Sequence, residues 1–216
     1  MGEITLIRHG QANSAATDDE SYDRLSDLGH QQATWLGDHL RAHEPAFDRV
    51  LVGSLKRHKQ TAAAMGHMGA HPEEDARLNE MDYFNLGAAL EESHGVPMPG
   101  PEEFAAHSRQ VMAAWHAAEI KGVETFASFE TRVAGVLQEA AEPGRRVLCV
   151  TSGGVIGMMV RHLLNLDTDR FCHVMLPILN SSIHRVHVTP HGTILGSFNA
   201  HPHLDAPDRT HARTTY

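Results

Sequence analysis

Three short apolar runs, each followed by a helix signal, constrain this chain more than any other feature. They are EITLI at 3–7, FDRVLV at 47–52 and RRVLCVT at 145–151. Their length and β-branched content are those of strands buried on both faces. Between the first two, Ser26 precedes Leu28, Ala33, Leu36 and Leu40, which share one helix face. After the second, Ser54 is placed to cap a helix that includes Leu55, Thr61, Ala62 and Met65. After the third, Gly153-Gly154 leads into Val155, Ile156, Met159, Val160, Leu163 and Leu164. Strand then helix, three times over, predicts an α/β fold with a parallel sheet covered on both faces.

The region 79–123 breaks this rhythm with Gly87, Gly95, Pro97, Pro99, Gly100 and Pro101. A helix begun by Pro101 in its first turn then carries Phe104, Val111, Met112 and Trp115. The segment reads as an insertion able to lid a site. A further helix presents Phe129, Val133, Val136, Leu137 and Ala140 and ends at Pro143-Gly144. SSIHRVHV at 181–188 and TILGSFN at 193–199 flank Pro190-His191-Gly192 as a hairpin at the sheet edge. From His201 onward the chain is polar and is expected to be loosely held. No linker divides it, so 1–216 is read as one domain.

The net charge is −9 with no basic block, which argues against nucleic acid or an anionic membrane as partner. An anionic small substrate then requires a local cluster of arginines. No stretch approaches the roughly 18 apolar residues of a membrane span, and the opening residues lack the regions of a signal peptide. A cytoplasmic location is expected. Cys149 and Cys172 lie in apolar surroundings without CxxC spacing, as buried thiols do. With 18 histidines in 216 residues, one histidine carries little information outside a larger constellation. His201-Pro202-His203 lacks a third ligand at helical spacing, so no metal is expected there. Oligomeric state leaves no signature.

In an open parallel sheet, ligands bind beyond the carboxyl ends of the strands. There the sequence places Arg8-His9-Gly10-Gln11, then SLKRHKQTA at 54–62, then Thr151-Ser152-Gly153-Gly154. Two arginines and a histidine on one rim suit phosphoryl transfer. Guanidinium groups bind phosphate oxygens through a planar fork of donors. A neutral imidazole can attack phosphorus and carry the group covalently. Arg8 and Arg57 fit the first role and His9 the second. Gly10 allows a close turn around phosphate, Gln11 is a candidate phosphate ligand or a loop-closing residue, and Gly153 opens a helix whose first N–H groups attract anions. Asn13 fits such a role less well. Lys56 and Lys59 read as surface charges, Met158 and Met159 as core, and His184 as structural.

LIRHG at 6–10 resembles the signature of the histidine phosphatase superfamily, the branch with cofactor-dependent phosphoglycerate mutases. LSDLGHQQA at 25–33, SLKRHKQTA at 54–62, RLNEMDYF at 77–84 and VTSGGVIGMMV at 150–160 are similar to its later motifs, in family order. The resemblance implies a three-layer α/β/α sandwich with a mostly parallel sheet and a helical lid inserted at about 79–123. It implies His9 as phosphorylated nucleophile, Arg8 and Arg57 as phosphate ligands, and Glu80 as general acid and then base. Glu80 stands above Asp82, Glu91 and Glu92 only by motif position. No metal and no cofactor are implied, and the expected partner is a small phosphorylated substrate.

One departure stands out. Where the family usually has a second histidine before Gly-Gly, this chain has Ser152. A serine hydroxyl donates one neutral hydrogen bond and brings no charge, a handicap on the order of 10²- to 10³-fold if that donor acts in the transition state. Three outcomes follow: a phosphatase that tolerates Ser152, slow turnover of an unusual substrate, or binding without turnover. Mutase activity is a further alternative, for which the region 79–123 is poor in basic groups, Arg109 and Lys121 being its only ones besides histidines.

Overall fold

Apolar side chains on both sides of each central strand bury the sheet between two helical layers. A computed structural model describes residues 1–13, 16, 18–100 and 102–215. Its strands are β1 (Gly2–Arg8), β2 (Arg49–Val52), β3 (Pro72–Glu74), β4 (Arg146–Thr151), β5 (Ile183–Thr189) and β6 (Gly192–Ala200). They lie in the order β3-β2-β4-β1-β5-β6, the first four parallel and the last two antiparallel additions. Along β1, Ile4 and Leu6 join one core cluster and Ile7 the other; along β4, Val147 and Cys149 alternate likewise with Leu148 and Val150. This period of two is what makes each run apolar throughout.

One face is covered by α2 (Asp27–His43) and α3 (Lys56–Met65). Ser26 caps α2 as expected, its hydroxyl accepting from the N–H of Gly29 at 3.0 Å. Ser54 does not cap α3. Its hydroxyl accepts from Asn79 Nδ2 at 2.7 Å, and α3 is capped instead by Asp23, whose carboxylate accepts from the N–H groups of Lys56 (2.9 Å) and Arg57 (3.1 Å). A carboxylate at that end also meets the positive pole of the helix. Asp23 follows a short helix, α1 (Asp19–Tyr22).

The other face carries α4 (Tyr83–His94), α5 (Phe104–His116), α6 (Phe126–Ala140), α7 (Gly153–Leu164) and α8 (Thr168–Met175). The region 79–123 thus holds two helices, α4 and α5, and Leu86, Leu90, Val111, Met112 and Trp115 tie it into the larger core. The helix expected to begin at Pro101 starts at Phe104, and Pro101 lies outside the described residues. Met158, Met159, Cys149 and Cys172 are all core residues, and burial pushes the two thiols up to about 12 and about 11 respectively. Among the described residues no helix is long and apolar enough to cross a membrane.

The tail corrects the sequence expectation. Leu204 and Ala212 are fully buried and His203 nearly so, its Nε2 2.8 Å from Ser181 Oγ. Gln32 donates to the Ala212 carbonyl (2.7 Å) and to Thr214 Oγ1 (3.0 Å), Asn180 N–H donates to the Thr214 carbonyl (2.8 Å), and Arg209 stacks on Trp35. Polar composition misled because these residues satisfy one another against the fold rather than water.

Candidate active site

Strand register builds the base of the site. Arg8 pairs with Thr151 across β1 and β4, and the N–H of His9 donates to the Thr151 carbonyl at 2.9 Å. His9 therefore leaves the sheet where β4 hands over to α7. Gly10 is required here by close approach, since a Cβ on it would stand 2.3 Å from the Gly29 carbonyl oxygen. Its N–H is used by Thr61 Oγ1 at 3.1 Å. Gly10 thus serves the packing of the loop, and its carbonyl lies 2.7 Å from His9 Nδ1.

A carbonyl only accepts, so Nδ1 carries the proton and Nε2 its lone pair. Burial, then the charges of Arg57 and Arg8, hold this imidazole well below its ordinary range. An imidazole so shifted toward its neutral form, with Nδ1 on a carbonyl, can present an Nε2 lone pair for attack.

Both arginines are buried, Arg8 at 8% exposure and Arg57 at 4%. Arg8 Nη1 donates to the Ile178 carbonyl, and Arg57 Nη1 pairs with Asp23 Oδ1 at 3.1 Å while the guanidinium lies over the Tyr22 ring. The Nε atom of each has no partner among the described residues. Two buried guanidinium groups, that of Arg57 paired with Asp23 and that of Arg8 held by a carbonyl, give the cleft donors that can hold an anion beside the imidazole. Glu80 completes the base: its Oε2 accepts from the N–H of Gly154 (2.9 Å) at the start of α7 and its Oε1 from the N–H of Met81 (3.0 Å).

Arg8, His9, Arg57, Glu80 and Gly153 line one cleft of about 510 Å³. Asp82 instead caps α4, and Glu91 and Glu92 are exposed. Gln11 closes the loop, its Oε1 accepting from Ser26 Oγ at 2.8 Å. Asn13 likewise donates to the Ser21 carbonyl. Ser152 is fully buried, with its Oγ 2.6 Å from Nε2 of His58. Lys56 and Lys59 are exposed, Lys59 pairing with Glu74. His184 is held between Ser182 and Asn199, and burial pushes it down to about 3.

Sequence reasoning missed Tyr22, Asp23 and His58. Tyr22 ends the four-residue helix α1 and Asp23 follows it, a stretch too short for a periodic pattern to place them. His58 had a signal: an imidazole adjoins Arg57 in a chain that lacks one before Gly153-Gly154.

A mixed, mainly parallel sheet with helices on both sides and a cleft lined by Arg8, His9, Arg57 and Glu80 defines an α/β protein of the three-layer class. The family model for the histidine phosphatase superfamily (branch 1) matches residues 4–201, and the chain belongs to that superfamily, as an enzyme of it. A serine/threonine-protein phosphatase, Pgam5, mitochondrial, from Drosophila grimshawi is 34% identical over 80 residues. That match takes in 37% of this chain and only 23% of the Drosophila protein. A phosphoserine phosphatase from Entamoeba histolytica, solved with phosphoserine, superposes with TM-score 0.70 at 19% identity, covering 94% of this chain and 100% of the other. Mycobacterial glucosyl-3-phosphoglycerate phosphatase gives 0.66 at 22%, covering 92% and 98%. At such identities these structures speak for the fold.

Proposed function

We propose that this chain is a phosphomonoester hydrolase working through a phosphohistidine on His9. The observation that carries it is the buried His9, its Nδ1 on the Gly10 carbonyl, lining one cleft with two buried guanidinium groups whose Nε atoms have no partner among the described residues.

The substrate phosphate binds Arg8 and Arg57, and His9 Nε2 attacks phosphorus. The bond from phosphorus to the ester oxygen breaks as Nε2–P forms, and protonated Glu80 gives its proton to the leaving alcohol. Glu80, now a carboxylate, takes a proton from water as that water attacks phosphorus. The Nε2–P bond breaks and orthophosphate leaves. Throughout, the Gly10 carbonyl holds the Nδ1 proton, and the arginines hold charge spread over the phosphoryl oxygens.

Mutase chemistry is the less supported reading, because retaining a doubly phosphorylated intermediate needs several basic groups. Arg109 and Lys121 are the non-histidine bases of 79–123, and neither lines the cleft.

The test is p-nitrophenyl phosphate turnover from pH 5 to 8 with EDTA, comparing the protein with His9→Ala. Turnover lost in the variant, with an acid-labile phosphoryl adduct trapped on the parent, supports the reading. Equal rates in both would overturn it.

A further inference from the structure

Resting on that reaction, we propose that the substrates are monophosphate esters of alcohols with an extended apolar body and no second charge. In the cleft, charged side chains are confined to the base: Arg8, Arg57 and Glu80 are the only ones among the described lining residues, beside the neutral His9. Above them stand Tyr83, Phe84, Met98, Phe104, Met112 and Met175. Tyr83 and Phe104 contact each other with ring centroids 5.2 Å apart, and Tyr83 is fixed by a 2.7 Å bond between its hydroxyl and His107 Nδ1. A phosphoryl group occupies only the base of a 510 Å³ cleft, so the rest receives the alcohol. A carboxylate, ammonium or second phosphate placed there leaves water for walls without a counter-charge. A hydrocarbon body gains roughly fourfold in affinity per methylene buried.

The test uses n-alkyl phosphates from ethyl to hexyl, which share one leaving-group chemistry, beside phosphoserine and 3-phosphoglycerate. The expected result is kcat/KM rising at least 30-fold from ethyl to hexyl, mostly through KM, with both charged esters below ethyl phosphate. A flat series, or phosphoserine as the best substrate, overturns the inference. Titrating n-alkylphosphonates into His9→Ala reads the same trend as Kd without turnover. Absent hydrolysis with a rising phosphonate series would therefore defeat the reaction and keep the apolar site. A flat phosphonate series defeats the site alone.

A different observation carries a second inference: the geometry points to His58 as a positioning residue that acts through Ser152. Neighbours on a helix diverge by about 100°, so Arg57 turns to Asp23 and the cleft while His58 turns inward and is fully buried. Its Nε2 lies 2.6 Å from Ser152 Oγ, and its ring centroid 5.6 Å from that of His9. Gly53 makes room for it, since a Cβ there would sit 2.1 Å from Nδ1. That Nδ1 has no partner among the described residues. An orphaned lone pair is tolerated more readily than an orphaned N–H, so Nε2 carries the proton and donates to Ser152. Burial, then Arg57, hold the ring well below its ordinary range. Ser152 stands at the N-cap of α7 yet makes no side-chain cap bond. Its acceptor capacity goes to His58, which leaves its hydroxyl proton uncommitted one residue before Gly153, where α7 meets the cleft.

With p-nitrophenyl phosphate, Ser152→Ala and His58→Ala are each expected to lower kcat about tenfold with KM within twofold. The double variant should be no slower than the slower single, and His58→Gln, which keeps an N–H, should recover most of the loss. A merely structural role would lower Tm and leave these kcat ratios independent. Additive losses, or an unchanged kcat in Ser152→Ala, overturn the inference, and the latter test stands even if His58→Ala fails to fold.

Discussion

The base of the cleft and its walls are built by opposite means. At the base, backbone pairing between β1 and β4 sets Arg8, His9 and Gly153 side by side, and each functional side chain there has a backbone or carboxylate partner. The walls come mostly from residues between Tyr83 and Met112, joined by Met175 of α8, where side chains pack on side chains and most of the lining is apolar. Chemistry fixed by register tolerates little change. A wall made of interchangeable apolar groups sets which ester fits and can vary without touching the reacting atoms.

Substitutions measure this contrast. His9→Ala is expected to lower kcat at least about 10⁴-fold, as removal of a covalent nucleophile does elsewhere, with p-nitrophenyl phosphate as the readout. Glu80→Gln should cost about 10²- to 10⁴-fold, with a smaller loss for p-nitrophenyl phosphate than for an alkyl ester, whose leaving group needs the proton more. Arg57→Ala should lower kcat/KM about 10²- to 10³-fold. Asp23→Ala should lose about tenfold by letting Arg57 wander, and about 1 kcal/mol of stability through the lost α3 cap, read by urea denaturation. At the wall, Phe84→Leu should change p-nitrophenyl phosphate kcat less than threefold. A loss there as large as that at Arg57 would erase the distinction between the two regions.

The buried imidazoles give a pH prediction for the fold itself. His9 and His58 are held well below the ordinary histidine range, and burial pushes His184 and His203 down to about 3. The unfolded chain takes up protons near pH 6.5 that the native state refuses. The stability these groups contribute is present above that pH and lost as pH falls toward 3. The slope reaches about 1.4 kcal/mol per pH unit for each histidine. Tm should drop between pH 6.5 and 4.5, and a flat Tm over that range would contradict their burial.

The parallel core was legible because each strand is apolar on both faces and ends in a turn rich in function. That Arg8, His9 and Arg57 share one rim was legible from their places after the strands, and Glu80 was singled out by motif position; the structure lines one cleft with all four and adds the hydrogen bonds that separate Glu80 from Asp82, Glu91 and Glu92. What escaped has a common cause. β3 is three exposed residues, PEE, with no apolar pattern. Asp23 caps a helix 33 residues away in sequence. The tail and His58 acquire their roles only from partners brought close by folding. Gln11 and Gly10 were placed in the right loop, but the demands of that loop, rather than a ligand, account for their contacts.

The tail that grips Gln32 and Asn180 also reaches His9, because Asn180 Nδ2 donates to the His9 carbonyl at 3.4 Å and the N–H of Gln11 donates to Gln32 at 2.7 Å. Arg213 is exposed and directly precedes Thr214. A trypsin nick after Arg213 would release the Thr214 anchor, so enzyme trimmed by a protease during purification should lose rate while its overall dimensions stay unchanged.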